Sequence, residues 1–300
     1  MKRKLLLTAA ILFAACLSVI LYLNSKPEVK DNKASGEAYK RVEYLKCNFY
    51  NEKDFRKSVT EASGTPLPGA SVCGGITPHH LLAGSLISSF MKTVSAADPE
   101  VVVVLAPNHK GLGVNYVQTS SLDWQTPFGI LKAAAEDAES LVNGGISGSN
   151  SALMQEDHSI SGLVPYIKYY MPNARILPLL LNGNNSLDDS RRLGEAIQNK
   201  LKGKKYIVIA SIDFSHYLTL DKADKMDEVT LKAINDRNLK EIDGMGNDNL
   251  DSPPTLISFL SAMTAEGADK SKLLAHSNSA RIIKINPKET TSYFTMVFYR

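Results

Sequence analysis

Histidines are the residues of this 300-residue chain that most clearly indicate a functional site. Five of the six stand where a strand is predicted to end or a helix to begin. His79 directly follows Pro78, and His109 comes two residues after Pro107, at the ends of apolar runs. Ligands of open α/β sheets bind at the carboxyl ends of the strands, and zinc, iron and copper all accept neutral imidazole. The pattern therefore predicts that these two side chains bind one metal ion.

Carboxylates accompany two further histidines. Asp213 and His216 lie three residues apart after a predicted strand, so Asp213 could orient His216, bind the metal itself or accept a proton. His158 lies in the segment Glu156 to Ser159, which could also do no more than cap a helix. Our candidate catalytic residues are His158, His216 and Asp213, and our candidate metal ligands are His79, His109 and His216.

The remaining two histidines are weaker candidates. His80 is the neighbour of the better-placed His79, and His276 stands apart from any proline or carboxylate. His276 follows a predicted strand and could reach the same rim, but for both residues a purely structural role is favoured.

The elements that must position these residues alternate along the chain. β-Branched runs alternate with helical patterns, which predicts a single α/β domain with a central mostly parallel or mixed sheet flanked by helices. One domain of roughly 260 residues is within the size of such folds. Strands are predicted at 70–76, 101–106, 175–181, 206–211, 272–275 and 293–299, and helices at 81–94, 133–142, 160–170, 187–201, 222–235 and 254–265.

The overall charge argues against a nucleic-acid partner. The chain has 34 Lys+Arg and 31 Asp+Glu, a net charge of +3, and three of the positive residues are Lys2, Arg3 and Lys4. The rest of the chain is nearly neutral, whereas proteins that bind nucleic acid present basic surfaces. We therefore expect a small-molecule substrate.

The N-terminus predicts a membrane anchor. Residues Leu5 to Leu23 carry no charge and follow the basic cluster, so residues 1–24 are predicted to form an uncleaved signal-anchor helix. The basic cluster should stay cytoplasmic and place the remainder outside. Alternatively, Cys16 is lipidated and the protein is a lipoprotein. Residues 25–41 are predicted to be a flexible linker, with the folded domain at 42–300.

Two cysteines lie beyond the predicted anchor. An oxidising compartment would permit Cys47 and Cys73 to form a disulfide. Alternatively, Cys73 is a buried small residue in an apolar strand.

Five ordered motifs, taken together from about Ala70 to the C-terminus, resemble the Memo family, also called AmmeMemoRadiSam system protein B. Its fold is similar to that of LigB-type class III extradiol ring-cleaving dioxygenases. The motifs are Thr77-Pro78-His79, Ala106-Pro107-Asn108-His109, Thr126-Pro127-Phe128-Gly129, Asp157-His158-Ser159-Ile160 and Ser211 to Tyr217.

The resemblance implies a metal held by His79 and His109. A third ligand, Cys in some relatives, comes from near the C-terminus, where this chain has Ser277-Asn278-Ser279-Ala280. His216, Asp213 or His276 would then complete the site.

Three functions follow as expectations. The first is a metal-dependent redox or dioxygenase-like enzyme that uses Fe(II), or alternatively Cu or Zn, with His158 or His216 as acid or base. The second is a non-catalytic module that binds a small ligand or peptide. The third is a metal-assisted hydrolase.

Overall fold

A nine-stranded mixed sheet flanked by helices is the centre of the computed structural model, which describes residues 44–67, 69–285 and 288–300. The predicted anchor at 1–24 and linker at 25–41 lie outside the described residues. Within the described residues, no helix combines the length and apolar character that a membrane crossing needs. The sequence therefore predicted the fold class of the described part correctly.

The elements alternate along the chain as the sequence pattern indicates. The strands are β1 (Leu45–Lys46), β2 (Val72–Thr77), β3 (Val101–Pro107), β4 (Val117–Thr119), β5 (Trp124–Thr126), β6 (Gly129–Leu131), β7 (Gly148–Ser149), β8 (Arg175–Leu181), β9 (Tyr206–Ser211), β10 (Phe214–Leu218), β11 (Lys270–Asn278) and β12 (Thr290–Tyr299). The helices are α1 (Glu52–Glu61), α2 (Gly84–Val94), α3 (Ala135–Asn143), α4 (Ser151–Glu156), α5 (His158–Ser161), α6 (Val164–Tyr170), α7 (Leu187–Leu201), α8 (Leu220–Asn235), α9 (Leu239–Asp243), α10 (Pro253–Ala265) and α11 (Ser279–Ile283). Short 3₁₀ turns at Leu81–Ala83 and Ser95–Ala97 flank α2.

The strand order brings the ends of β2, β9 and β3 together. The order is β10-β12-β2-β9-β3-β8-β4-β7, with β11 paired to β12. Strands β2, β9, β3 and β8 are parallel, β12 is antiparallel to β2, and β10 and β11 are antiparallel to β12. The short strands β1, β5 and β6 form a separate small sheet. Three neighbouring parallel strands therefore present their carboxyl ends at one edge.

The central strand β3 shows why the sheet lies between two helical layers. All seven of its residues are buried. Side chains of alternate residues point to opposite faces of a strand. Val101, Val103 and Leu105 belong to one apolar cluster, and Val102, Val104 and Ala106 belong to another. An uninterrupted apolar run of this kind is typical of a strand covered on both faces.

Two glycines let the neighbouring strands approach β2 closely. A Cβ at Gly74 would lie 2.2 Å from the carbonyl oxygen of Val208 in β9, and one at Gly75 would lie 2.3 Å from that of Met296 in β12. Backbone atoms cannot yield to such contacts as a flexible side chain can. Glycine is therefore required where β2 packs between its two partners.

Of the two alternatives for these cysteines, the disulfide between Cys47 and Cys73 is wrong, since the structure has both thiols free. Cys73 belongs to the apolar cluster on one face of the sheet, while Cys47 packs against the cluster on the other face. The alternative for Cys73, a buried small residue, is the one observed. Burial raises the pKa of Cys47 to about 12 and also raises the pKa of Cys73.

Candidate metal centre

The carboxyl edge of the sheet places the candidate ligands. His79 follows β2 after Pro78, and His109 follows β3 two residues after its end. His158 is the first residue of α5, whose N-cap Asp157 accepts a hydrogen bond from the Ser159 backbone N–H. Because β2 and β3 both pair with β9, their ends lie close together.

Three histidines converge at this edge. Each of His79, His109 and His158 offers a ring nitrogen within 4.8 Å of those of the other two, so the group could hold a metal ion. The rings of His79 and His109 meet edge to face with centroids 5.1 Å apart, and the rings of His109 and His158 are stacked at 4.4 Å. The structure thus groups His158, and not His216, with the two residues that the motifs identified.

Asp251, which the sequence did not single out, supplies a carboxylate to the same place. Its Oδ2 lies 3.3 Å from Nε2 of His79 and 4.0 Å from Nε2 of His109. Its Oδ1 is buried and has no hydrogen-bond partner in the described part of the chain. The residue immediately precedes Ser252, the N-cap of α10.

The close approach of Asp251 to the imidazoles needs a proton or a metal ion between them. Burial raises the pKa of Asp251 well above its usual value, and the nearby charge of Asp213 adds to the rise. Burial also lowers the pKa of His79, which favours its neutral form. A carboxylate this close to imidazole nitrogens is stable only when a proton or a metal ion lies between them. The two imidazoles and one carboxylate are a donor set that suits a divalent first-row metal.

Asp157 is a second carboxylate, and its pKa is lowered where that of Asp251 is raised. Burial alone would raise its pKa, but hydrogen bonds from His109 and Ser159 and the charge of His109 lower the pKa to about 2. Its Oδ1 lies 3.0 Å from Nδ1 of His109, and its Oδ2 accepts the His109 backbone N–H at 2.9 Å. Asp157 is thus an ionised group that holds His109 in place.

Asp213 and His80 lie beside the centre. Asp213 Oδ1 accepts the backbone N–H groups of His79 and His80 at 3.1 and 3.4 Å, and its Oδ2 is 3.6 Å from Nε2 of His79. Burial raises the pKa of Asp213, and the nearby charges of His80 and His216 oppose the rise. Nδ1 of His80 is hydrogen-bonded to the hydroxyl of Tyr293 at 2.7 Å.

His216 is near the group but is not a member of it. It lies on β10, a strand that the sequence pattern did not predict, and its backbone N–H donates to the carbonyl oxygen of Asn247 at 2.8 Å. Its Nδ1 is buried without a hydrogen-bond partner among the residues described. Burial lowers the pKa of His216, and the charge of Asp213 opposes that effect.

His276 lies on β11 in a different group, with Asp224 and Asp227. Its Nε2 is 2.7 Å from Oδ2 of Asp227, whose Oδ1 accepts from the Ser215 hydroxyl at 2.6 Å. Both oxygens of Asp224 accept from the Arg281 guanidinium. The carboxylates of this group are already paired, and His276 contacts them and not the histidines of the candidate metal centre.

A family comparison matches residues 48–297 of the chain to the Memo-like protein family. The chain belongs to the Memo family. The matched range includes every residue of the candidate metal centre, from His79 to Asp251.

MEMO1 family proteins of other organisms are similar to this Memo-family chain. A MEMO1 family protein of Pyrobaculum aerophilum is 29% identical over 244 residues, which are 78% of this chain and 86% of the relative. A MEMO1 family protein of Methanopyrus kandleri is 28% identical over 237 residues, which are 76% of this chain and 83% of the relative. Among solved structures, an uncharacterized protein of Escherichia coli K12 matches with a TM-score of 0.49 and 13% identity, over 71% of this chain and 92% of that one.

Proposed function

We propose that this Memo-family protein is a metal-dependent redox enzyme of the dioxygenase type, which uses Fe(II) and a small-molecule substrate. In this proposal residues 1–24 tether it to the membrane and its domain lies outside the cytoplasm. His79, His109 and Asp251 would hold the metal. When bound, Fe(II) supplies Lewis acidity and one-electron chemistry with O₂.

The observation that carries the proposal is that the Asp251 carboxylate lies close to two imidazoles. Its Oδ2 lies 3.3 and 4.0 Å from the Nε2 atoms of His79 and His109. Two histidines and one carboxylate are the ligand set of non-haem Fe(II) oxygenases. The C-terminal segment of the sequence offered no carboxylate, whereas the loop before α10 does.

His158 suits the role of acid or base toward a substrate. Its ring stacks on His109 with centroids 4.4 Å apart. Burial lowers its pKa below the usual 6.5, and the charge of His109 adds to that effect, which favours the neutral imidazole. A neutral imidazole beside the metal can accept a proton from a substrate hydroxyl.

The non-catalytic alternative depended on a missing third ligand. Asp251 and His158 both lie within reach of the two histidines, which favours an enzyme over a module that only binds.

Metal content tests the proposal. The full chain is purified in detergent without oxygen, incubated with Fe(II), freed of excess metal and analysed by mass spectrometry of the elements. We expect about one iron per chain in the unchanged protein and none in His109→Ala. In Asp251→Asn the affinity for Fe(II) should fall about tenfold or more, because a charged ligand is removed. His276→Gln, a change of a histidine outside the centre, should keep its iron.

Oxygen consumption tests the reaction type. The iron-loaded protein should consume O₂ when a catechol is supplied, and His158→Gln should slow consumption while it retains iron. Equal iron in the unchanged protein and in His109→Ala would refute the metal centre. Tight zinc binding without oxygen consumption would favour the hydrolase instead.

A further inference from the structure

The outer ring nitrogens of the two metal-facing histidines contact groups that fix their proton. Nδ1 of His79 is 3.2 Å from the Ser211 hydroxyl, and Nδ1 of His109 is 3.0 Å from Oδ1 of Asp157. A neutral imidazole carries one proton, on either Nδ1 or Nε2. The partner of Nδ1 therefore decides whether Nε2 has a free lone pair.

The Ser211 hydroxyl can act toward His79 only as an acceptor. Its single proton is donated to the carbonyl oxygen of Ser159 at 2.6 Å, and a carbonyl cannot donate in return. The remaining lone pairs of the Ser211 oxygen must then accept a proton from Nδ1 of His79. Nε2 of His79, which faces Asp251, is left unprotonated.

Asp157 imposes the same arrangement on His109. Besides the two groups of His109, it accepts the backbone N–H of Ser159 at 3.0 Å. The Ser159 hydroxyl lies 2.7 Å from the same oxygen and 2.9 Å from the Pro107 carbonyl oxygen, so its single proton is shared between these two acceptors. Each of its two oxygens is bonded to a backbone N–H, which can only donate, so the carboxylate acts as an acceptor. Nδ1 of His109 must therefore be its donor, and Nε2 is free.

We infer that Asp157 and Ser211 are positioning residues that fix both histidines as Nδ1–H tautomers, and that Ser159 joins the two. Ser159 is fully buried; its N–H and hydroxyl bind Asp157, while its carbonyl oxygen takes the proton of Ser211. One residue thus organises the hydrogen bonds behind both imidazoles. The inference rests on the proposed function only for the use of these tautomers, which is to leave both Nε2 atoms free to bind a metal. The tautomers themselves are a property of the protein without metal.

Nitrogen NMR of the histidine rings tests this inference. The sample is the metal-free full chain, labelled with ¹⁵N-histidine, in detergent micelles. His79 and His109 should both show an unprotonated Nε2. Their signals are assigned as those that disappear in His79→Gln and His109→Gln. In Ser211→Ala, His79 should move toward the Nε2–H tautomer while His109 does not. Fe(II) affinity should fall about tenfold or more.

Two variants make the test specific. Ser258→Ala removes another fully buried hydroxyl, bonded to the Pro254 carbonyl oxygen in α10, and should change neither tautomer nor affinity. Asp157→Ala should shift His109 alone, because it removes the carboxylate that accepts the proton of Nδ1. This second variant keeps the inference testable if Ser211→Ala does not fold.

Opposite results would overturn the inference. It fails if Nε2 of either histidine is protonated in the unchanged protein, or if His79 keeps its tautomer in Ser211→Ala. A protein that shows the expected tautomers but binds no metal would support this inference and refute the proposed enzyme. The failure of one is therefore distinguishable from the failure of the other.

Discussion

Asp157 and Asp251 show how one site gives two carboxylates different tasks. Hydrogen bonds from His109 and Ser159 overcome the burial of Asp157 and lower its pKa to about 2, so it remains an anion. Burial and the charge of Asp213 raise the pKa of Asp251, which has one oxygen without a partner in the described residues. Such opposed environments separate roles in enzyme sites. Asp157 holds His109 in place, whereas the raised pKa of Asp251 favours its protonated form.

The thiol of Cys47 should be almost inert in the folded protein. Burial raises its pKa from 9.0 to about 12, which lowers the thiolate fraction at neutral pH about a thousandfold. Alkylation by iodoacetamide should therefore be very slow at pH 8 and rise about tenfold per pH unit toward pH 12. Peptide mass mapping of the native protein at several pH values measures this rate.

Denaturation without a reductant is the matching control. Cys47 and Cys73 should then both be alkylated, because neither is in a disulfide. A linked pair of peptides that only a reductant separates would contradict the structure.

The sequence identified His79 and His109 because each follows a proline at the end of an apolar run. It could not identify Asp251, which belongs to a loop far along the chain and whose local signal, an acidic residue before Ser-Pro-Pro, indicates only a helix start. The sequence assigned His158 to catalysis and His216 to the metal ligands, because spacing along a chain does not say which strand ends meet. These assignments depend on the tertiary fold.

At the scale of elements, β2 depends on its two glycines. Gly74→Ala would put a methyl group 2.2 Å from the Val208 carbonyl oxygen, so β2 and β9 would have to separate. We expect a loss of about 3 kcal/mol or more in the free energy of unfolding, at the upper end of overpacking effects. Denaturant unfolding followed by circular dichroism measures it.

Gly183→Ala provides the comparison. No atom lies within 4 Å of the Cβ position at Gly183, so its stability should change by less than about 1 kcal/mol. Equal stability of the two variants would show that β2 can move without cost.

The long strands and helices followed from their patterns, and 175–181, 206–211 and 187–201 have the predicted bounds. All six predicted strands are present, with shifts of a few residues at the other ends. Strands β4 to β7 have two or three residues each, too few for an alternation to be recognised. The predicted helix at 160–170 is two helices, α5 and α6, and the first begins at His158.

At the scale of the whole molecule, the orientation across the membrane is a prediction from the first 24 residues. A reporter that is active only outside the cytoplasm, fused after Arg300, should be active in cells. The uncharged run behind the Lys2 to Lys4 cluster is the reason. Removal of residues 5–23 should silence the same fusion. A well-expressed but silent fusion of the full chain would refute the predicted orientation.

The position of β12 in the sheet determines when folding can finish. It comprises residues 290–299, yet it lies inside the sheet, between β2 on one side and β10 and β11 on the other. Until those residues leave the ribosome, the backbone of β2 lacks its partner on one side. Pairings this distant along the chain form late. A growing chain would therefore stay incompletely folded at least until residues 290–299 have been made.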